Sequence, residues 1–541
     1  MKKLFKSMLI VCLIYLATIT TQALVVGDWE AEISNNEAII IGYTGECTEK
    51  MELPAYLGNF KVVGLGGCLF DGNVKEIVIP EGYRFIREPE NVMFNPYSGS
   101  RKNVFYNVRK SLEYIHLPQS LEVLEASFRE CIALKEITIP AKVKSLPVIL
   151  HDSNKYYGIF DGCESLEYVY LNEGLETIGE RTFYDCKSLK DIKLPNTLKS
   201  IEGNAFYNCD SLKSLVIPNS VTNFGKRTYV ARDGKTYTKT APVIIDCDNL
   251  ETVVLSDNTP NLLSYGEVGM FVDHTDGELA KCPKLSDVYL GKSLSSIDYA
   301  GGLYAGGTGV LGFNDSLKTI ILPEGLQEIG NCFLYGSDNV ETLVIPASVI
   351  RIGETDAYDS DGTCKGTNKK PLPKLFIYGY NGSRAQSFAN EEGFPFVDIS
   401  TATPTNSKVL VNGKEVAFTA YNIGGNNYFK LRDVATAING TAKSFNVGWD
   451  GNNNAISLTS GQAYQSVGGE LVVNSGAQVT SPRVTNSKVF VDGELTTFMA
   501  FNIDGNNYFK LRDIGQVFDI GIGWDGSTQT ITIDTSSSYT E

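Results

Sequence analysis

With 541 residues the chain exceeds what one ordinary core serves, so several units or an open-ended repeat array are expected. Hydrophobic residues at 43% and charged residues at 20% exclude wholesale disorder. A formal net charge of −16, spread through mixed-sign stretches, makes nucleic acid a poor partner and suits the solubility of an exported protein.

At the start, Lys2, Lys3 and Lys6 precede an apolar run from Met8 to Ile19, with the small residue Ala23 beyond it. The pattern predicts a cleavable signal peptide over residues 1–23, hence a secreted or cell-surface protein. The run is shorter than the roughly 20 residues of a membrane-spanning helix, and no transmembrane span is expected in the mature chain.

Further along, SLEYVYLNEGLETIGERTFYDC from Ser165 recurs as SLKDIKLPNTLKSIEGNAFYNC from Ser188 and as SLKSLVIPNSVTNFG from Ser211. Cys163, Cys186 and Cys209 keep the same 23-residue spacing, and looser copies begin at Ser111, Ala133, Asn249, Lys284, Ser316 and Asn339. A period this short cannot close a core alone, so each unit must bury its Leu and Ile against the next coil. Leu189, Ile192 and Leu194 alternate as in a short strand. Pro195 should end that strand, because it cannot donate to a ladder. Gly203 and Asn204 then supply a turn, after which Ala205 and Phe206 plug the interior.

These residues resemble the BspA-like leucine-rich-repeat family, whose pattern runs Leu-x-x-Ile-x-Ile-Pro, Leu-x-x-Ile-Gly, Ala-Phe-x-x-Cys. GDWEAEISNNEAIIIGYTG from Gly27 and KLFIYGYNGSRAQSFANEEGFPFVDI from Lys374 are similar to the family's N-terminal cap and closing coil. The resemblance implies a β-rich leucine-rich-repeat solenoid with caps over residues 24–399. It also implies a bacterial surface or secreted binding protein, often an adhesin or surface antigen, rather than a catalyst. Insertions interrupt the pattern at 83–109, 148–159, 226–242, 257–278, 299–313 and 354–371.

STATPTNS after Ile399 reads as a linker, and two copies of another module follow. NSKVLVNGKEVAFTAYNIGGNNYFKLRDVA from Asn406 recurs as NSKVFVDGELTTFMAFNIDGNNYFKLRDIG from Asn486, and VGWDG at Val447 recurs as IGWDG at Ile522. Asn412-Gly413 and Asp492-Gly493 suit tight hairpins, and Asp433 and Asp513 suit the first turn of a short helix. Small β-rich α+β modules are expected over 400–460 and 486–541, with 461–485 as a connector. The pair is similar to the stalk domain named after the N-terminal region of copper amine oxidases, which implies structural spacing or cell-wall association. Neither copy contains His or Cys, so no copper site is expected.

Signs of catalysis are sparse. His116, His151 and His274 are not paired at a metal-ligand or triad spacing, and neither a Gly-x-Ser-x-Gly elbow nor a Cys-x-x-Cys occurs. Gly307-Thr-Gly309-Val-Leu-Gly312 matches the dinucleotide-binding glycines but leads into a repeat strand instead of a helix. The stretch from Asp359 to Gly362 begins like a calcium loop, yet Lys370 stands where a bidentate Glu is required. No enzyme, metal or cofactor is expected. Cys131, Cys163, Cys186, Cys209, Cys247 and Cys282 close successive coils, which favours stacked thiols over disulfides. For Trp449 and Trp524, identical placement before Asp-Gly favours core packing over sugar stacking.

Within each repeat strand the residues between buried positions should point outward. One column runs Tyr114, Glu136, Tyr168, Asp191, Ser214, Thr252, Asp287, Thr319 and Thr342. Its neighbour runs His116, Thr138, Tyr170, Lys193, Val216, Val254, Tyr289, Ile321 and Val344. Tyr114, His116, Tyr168, Tyr170, Lys193 and Tyr289 are the candidate binding residues, because rigid aromatic groups anchor interfaces. The expected function is adhesion to a protein or glycan ligand at a cell surface, with the C-terminal modules holding the solenoid away from the cell. The alternative is a wall-associated scaffold in which those modules bind envelope polysaccharide. Cleavage after Ala23 makes Leu24 the first residue of the exported protein, which N-terminal sequencing of secreted material checks; a cytoplasmic chain retaining Met1 would contradict it.

Overall fold

The computed structural model describes residues 22–67, 70–87, 104–125, 128–152, 155–230, 236–262, 279–297, 310–330, 333–334, 336–353, 372, 374–451, 453–472, 478–485 and 487–540. It divides into two compact units, Met1–Thr197 and Leu198–Glu541, and the division falls inside the repeat array.

In the first unit, Gln22–Val26, Trp29–Ser34 and Glu37–Tyr43 form an antiparallel cap, and Phe60–Leu65 pairs with the last of them in parallel to begin the stack. One parallel sheet then runs through Lys50–Glu52, Glu76–Val78, Tyr114–His116, Glu136–Ile139 and Tyr168–Leu171. Its strands are three or four residues long because a proline follows within two positions in most repeats. The strand expected at Leu189–Leu194 shrinks to a single bridge between Tyr168 and Asp191, although Leu189, Ile192 and Leu194 are all buried as their alternation requires.

Stacking makes the core a set of ladders. Phe105, Phe128, Phe160 and Phe183 are fully buried and stack in sequence, with centroids 4.6, 5.5 and 5.7 Å apart. Beside them the Cys163 thiol donates to the Phe128 carbonyl at 3.1 Å and the Cys186 thiol to the Phe160 carbonyl at 3.3 Å. Burial pushes the Cys131, Cys163 and Cys186 thiols up, so they pack as neutral groups. Cys47, Cys131, Cys163, Cys186, Cys247 and Cys282 are free thiols. The residue before each buried cysteine takes positive φ, as at Glu130, Asp185, Asn208, Asp246 and Lys281, which turns the chain sharply into the next coil.

The second unit continues the same construction. Ser214–Val216, Thr252–Val254 and Asp287–Tyr289 pair in parallel, as do Thr319–Ile321, Thr342–Val344, Phe376–Gly379 and Phe396–Asp398. Ala205 and Phe206 are fully buried and Asn204 has φ of 56°, matching the expected turn and plug. Where the thiol ladder ends, Asn314 and Ser337 take its place. The Cys282 N–H donates to Asn314 Oδ1, the Asn314 N–H to Ser337 Oγ, and the Ser337 hydroxyl to the Leu311 carbonyl, at 2.9, 2.9 and 2.6 Å. These polar side chains are tolerated in the core because each is bonded. The helix Arg384–Glu392 closes the array with Ala385, Phe388 and Ala389 buried, and Gly393 ends it at φ of 78°. The insertion at 148–159 contains a two-stranded ribbon, and that at 226–242 contains another.

Beyond residue 399 the two sequence copies fold around one core. The strands Asn426–Lys430 and Asn506–Lys510 pair antiparallel at the centre of a six-stranded sheet, so that Phe429 faces Phe509. Two smaller sheets each draw on both copies, since Lys408–Val411 pairs with Thr530–Asp534 and Ala455–Ser460 with Lys488–Val491. Asn412-Gly413 and Asp492-Gly493 form the expected hairpins, all four residues having positive φ. Asp433 and Asp513 lie in the first turns of the helices Leu431–Ala437 and Leu511–Val517. Phe160→Ala removes a rung that neighbours cannot refill; a loss of about 3–5 kcal/mol is expected in denaturant unfolding.

Candidate functional site

The first unit holds five of the six candidate residues. Alternation along Tyr114–His116, Glu136–Ile139 and Tyr168–Leu171 buries Ile115, Ile137 and Val169 and turns their neighbours outward. Parallel register sets Tyr114 beside Glu136 and Glu136 beside Tyr168, while Thr138 lies beside Tyr170. Tyr168 and Tyr170 are 37% and 52% exposed, and their rings stack 6.4 Å apart at 13°. Lys190 lies 5.5 Å from the Tyr168 ring while its ammonium bonds Glu167 at 2.6 Å. Lys135 sits similarly, 5.4 Å from the Tyr114 ring. Lys193 is exposed in the next coil.

His116 is exposed at the other side of this face and meets Glu76 at 3.1 Å, a carboxylate that Lys50 also holds at 3.1 Å. Hydrogen bonding from Lys50, ahead of its charge and of His116, lowers the Glu76 carboxyl below the ordinary range. Glu76 lies in Val74-Lys-Glu-Ile77-Val-Ile79-Pro80, the repeat strand with Val in place of Leu, and Lys50 precedes the looser Met51-Glu-Leu53-Pro54; the register of the sheet brings both into line with His116.

Tyr289 has a different fate. Its hydroxyl donates to Asp257 Oδ1 at 2.6 Å, and Lys488 of the second C-terminal copy lies 4.8 Å from its ring and 3.3 Å from Asp257 Oδ2. The Lys488 and Asp257 side chains are 6% and 4% exposed. Burial pushes Asp257 up, but the Tyr289 hydroxyl, Lys488 and Lys292 outweigh it and hold the carboxyl below its usual value. At Lys488 burial, helped by the like charge of Lys292, prevails over Asp257 and Asp450 and lowers its ammonium. Nearby, Asp287 Oδ1 accepts the Thr497 N–H at 2.7 Å.

Further along, outward Val344 is fully buried, and Ile321, Tyr378 and Tyr380 pack with it against Tyr421, Tyr428, Phe501 and Tyr508. The C-terminal domain therefore covers the outward face around Tyr289, Ile321 and Val344, which are docking residues and not free binding positions, while Val216 earlier in the same column stays exposed. The C-terminal modules are packed onto these repeats, where the outward column carries Ile321, Val344 and Tyr378.

Trp449 and Trp524 reverse the expected core role, being 51% and 50% exposed. Each follows a partly buried core residue by two positions, Val447 and Ile522, so its strand face is the core face. Each stands one residue before the end of an edge strand, beside Gly451 or Gly526, so one flank of its ring has no neighbouring strand. Among the described residues no three His, Cys, Asp or Glu side chains converge as a metal site, and no helix is long and apolar enough to cross a membrane. His274, Gly307, Gly309 and the Asp359–Gly362 turn lie outside the described residues.

The family model for the BspA type leucine-rich repeat region matches six copies, over residues 100–232 and 280–361. That family match ends at residue 361, leaving the stalk-domain likeness of the C-terminal copies resting on sequence resemblance. No curated protein shows significant similarity to the chain. Among solved structures, a leucine-rich cell surface protein from Faecalibacterium prausnitzii is 20% identical, covering 69% of this chain and 98% of its own, with a TM-score of 0.30. A leucine-rich repeat protein from Bacteroides ovatus is 19% identical over 69% of this chain and 98% of its own, with a TM-score of 0.28. The pneumococcal vaccine antigen PcpA is 14% identical over 70% and 99%, with a TM-score of 0.30.

Removing one partner of the Lys488–Asp257 pair leaves the other buried. Lys488→Ala is expected to cost about 3–5 kcal/mol, whereas Lys488→Met with Asp257→Asn together should be nearly neutral, in denaturant unfolding of the full chain. Because the folded Asp257 carboxyl lies below its unfolded value of about 3.9, its contribution is present above that pH and drains away as pH falls further. Hydrogen exchange at Asp287–Tyr289 should rise, relative to the chemical rate, as the protein is taken below about pH 4.

Proposed function

We propose that this chain, carrying BspA-type leucine-rich repeats at residues 100–232 and 280–361, is an exported bacterial surface protein that binds a protein or glycan through the open strand face of its first unit. The observation that carries this reading is the parallel Tyr168–Tyr170 stack, half-exposed, on a sheet too regular to need it. Two aromatic rings held in register offer rigid contact area at low conformational cost, and Tyr is among the residues that dominate interface energetics. Lys190, Lys193 and Glu136 supply charge around them. Export rests on Lys2, Lys3, Lys6 and the apolar run after them. Cleavage after Ala23 leaves Leu24, Val25 and Val26 still opposite Ala31, Glu30 and Trp29, so the cap strand would survive in shortened form. The role is that of a binder and not of a catalyst, since stacked coils present a surface and burial pushes the Cys131, Cys163 and Cys186 thiols up.

Tyr168→Ala with Tyr170→Ala should weaken attachment of protein-coated beads to cultured epithelial cells at least tenfold, about 1.4 kcal/mol, with little change in the unfolding midpoint. Unchanged attachment by a folded double variant would contradict the reading.

A further inference from the structure

We propose that the C-terminal domain carries two related grooves that bind an acidic polysaccharide, one at Trp449 and one at Trp524. This goes beyond the strand-face reading and stands independently of it. The first groove, with a volume of about 1150 Å³, joins Lys430, Arg432 and Trp449 of the first copy to Asn502, Asn506 and Asn507 of the second. The other, about 330 Å³, joins Lys510, Arg512 and Trp524 of the second copy to Asn422, Asn426 and Asn427 of the first. Position for position these are the same residues with the copies exchanged. Each groove is incomplete without both copies, because the central sheet brings Lys430 of one strand opposite Tyr508 of the other.

The chemistry repeats as closely as the geometry. An indole half open to solvent near the end of a strand supplies a flat apolar platform, and Gly451 and Gly526 leave its edge unobstructed. Facing it is a hairpin rim of amides already set in place: Asn502 donates to Asn507 at 3.0 Å, and Asn422 to Asn427 at 3.3 Å. An apolar plate opposite a row of fixed donors and acceptors suits a pyranose ring, which shows a C–H face on one side and hydroxyls at its edge. Cations outnumber carboxylates in both linings. The Trp524 groove has Lys510 and Arg512 in its lining and no carboxylate, with Asp513 beside Lys510 at 3.7 Å. At the Trp449 groove, Lys292 and Arg483 add to Lys430 and Arg432. Glu324, Asp433 and Glu470 line it as well, so the four cations exceed the carboxylates by one, with Lys292 also 3.9 Å from Asp257; Glu470 accepts from Tyr464, Ser466 and the Val467 N–H, Glu324 from Tyr380, and one oxygen of buried Asp433 from the Leu471 N–H. A locally basic site on a chain of formal charge −16 selects negative groups on a ligand by position and not by bulk attraction. The same net charge disfavours a nucleic acid strand, which would need a basic surface far longer than either groove. Two equivalent sites on one rigid domain suit a repeating chain, where the second contact becomes intramolecular.

Only three tryptophans occur in the chain, and two of them stand in the grooves, so intrinsic fluorescence reads the sites directly. The full-length protein would be titrated with polygalacturonate, with poly(glycerol phosphate) teichoic acid, with a neutral β-1,4-glucan and with a single-stranded oligonucleotide, at low and physiological salt. Polygalacturonate or teichoic acid should shift the emission, the two distinguishing a carboxylated ligand from a phosphorylated one. Because these substitutions remove the reporting indoles, the variants are compared with the parent by isothermal titration calorimetry: Trp449→Ala or Trp524→Ala should each weaken binding at least tenfold, and the two together at least a hundredfold, without altering the unfolding midpoint. Trp449→Phe should recover part of the loss, which a merely structural role would not show. The proposal is overturned if neither acidic polymer shifts the emission, if the neutral glucan or the oligonucleotide binds as tightly, or if the double variant binds like the parent. The tyrosine variants of the first unit should leave this titration unchanged, which separates its failure from failure of the strand-face reading.

Discussion

A coil of 23 residues cannot enclose its own apolar side chains, and everything else in this molecule follows from that deficit. Each Leu, Ile and Phe is buried only because the next coil lies against it, so equivalent residues must superimpose and the core resolves into ladders of Phe and Cys. The requirement is strict about position and lenient about chemistry. Asn314 and Ser337 can take over from thiols because the ladder offers each of them a partner one rung away.

The same stacking that hides one side of every strand lays its other side out in columns. In the first unit those columns carry Tyr, His, Lys and Glu, which tolerate water. Toward the end of the array they turn to Ile321, Val344 and Tyr378, and the C-terminal domain packs Tyr421, Tyr428, Phe501 and Tyr508 against them. The buried Lys488–Asp257 pair adds direction to that apolar contact. An apolar patch alone tolerates sliding, whereas a buried ammonium with a single carboxylate partner at 3.3 Å permits one seating.

The repeats were legible because their period is written in the spacing of Cys163, Cys186 and Cys209, and alternation then named the outward residues correctly along the first unit. Tyr289 was misjudged because alternation says which way a side chain points and not what arrives to cover it; that information lies about two hundred residues away, in Lys488 and Thr497. Trp449 and Trp524 were misjudged for a related reason. Their strand parity does place them on the core face, opposite Ile456 and Ile531, but each lies on the outermost strand of its sheet, where no neighbouring strand covers its other flank. The pairing of the two C-terminal copies left no local mark either, since strands exchanged between copies carry the same hydrophobic pattern as strands kept within one.

That exchange has a bearing on assembly. A chain interrupted between the copies, by proteolysis or by a shortened gene, would present two sheet edges each lacking the strand that completes it. The missing strands are near-duplicates of its own, so a second interrupted chain could supply them by reciprocal donation. What is an internal pairing in the intact protein would then become a contact between molecules, and loss of one copy would yield a swapped dimer instead of a shorter monomer.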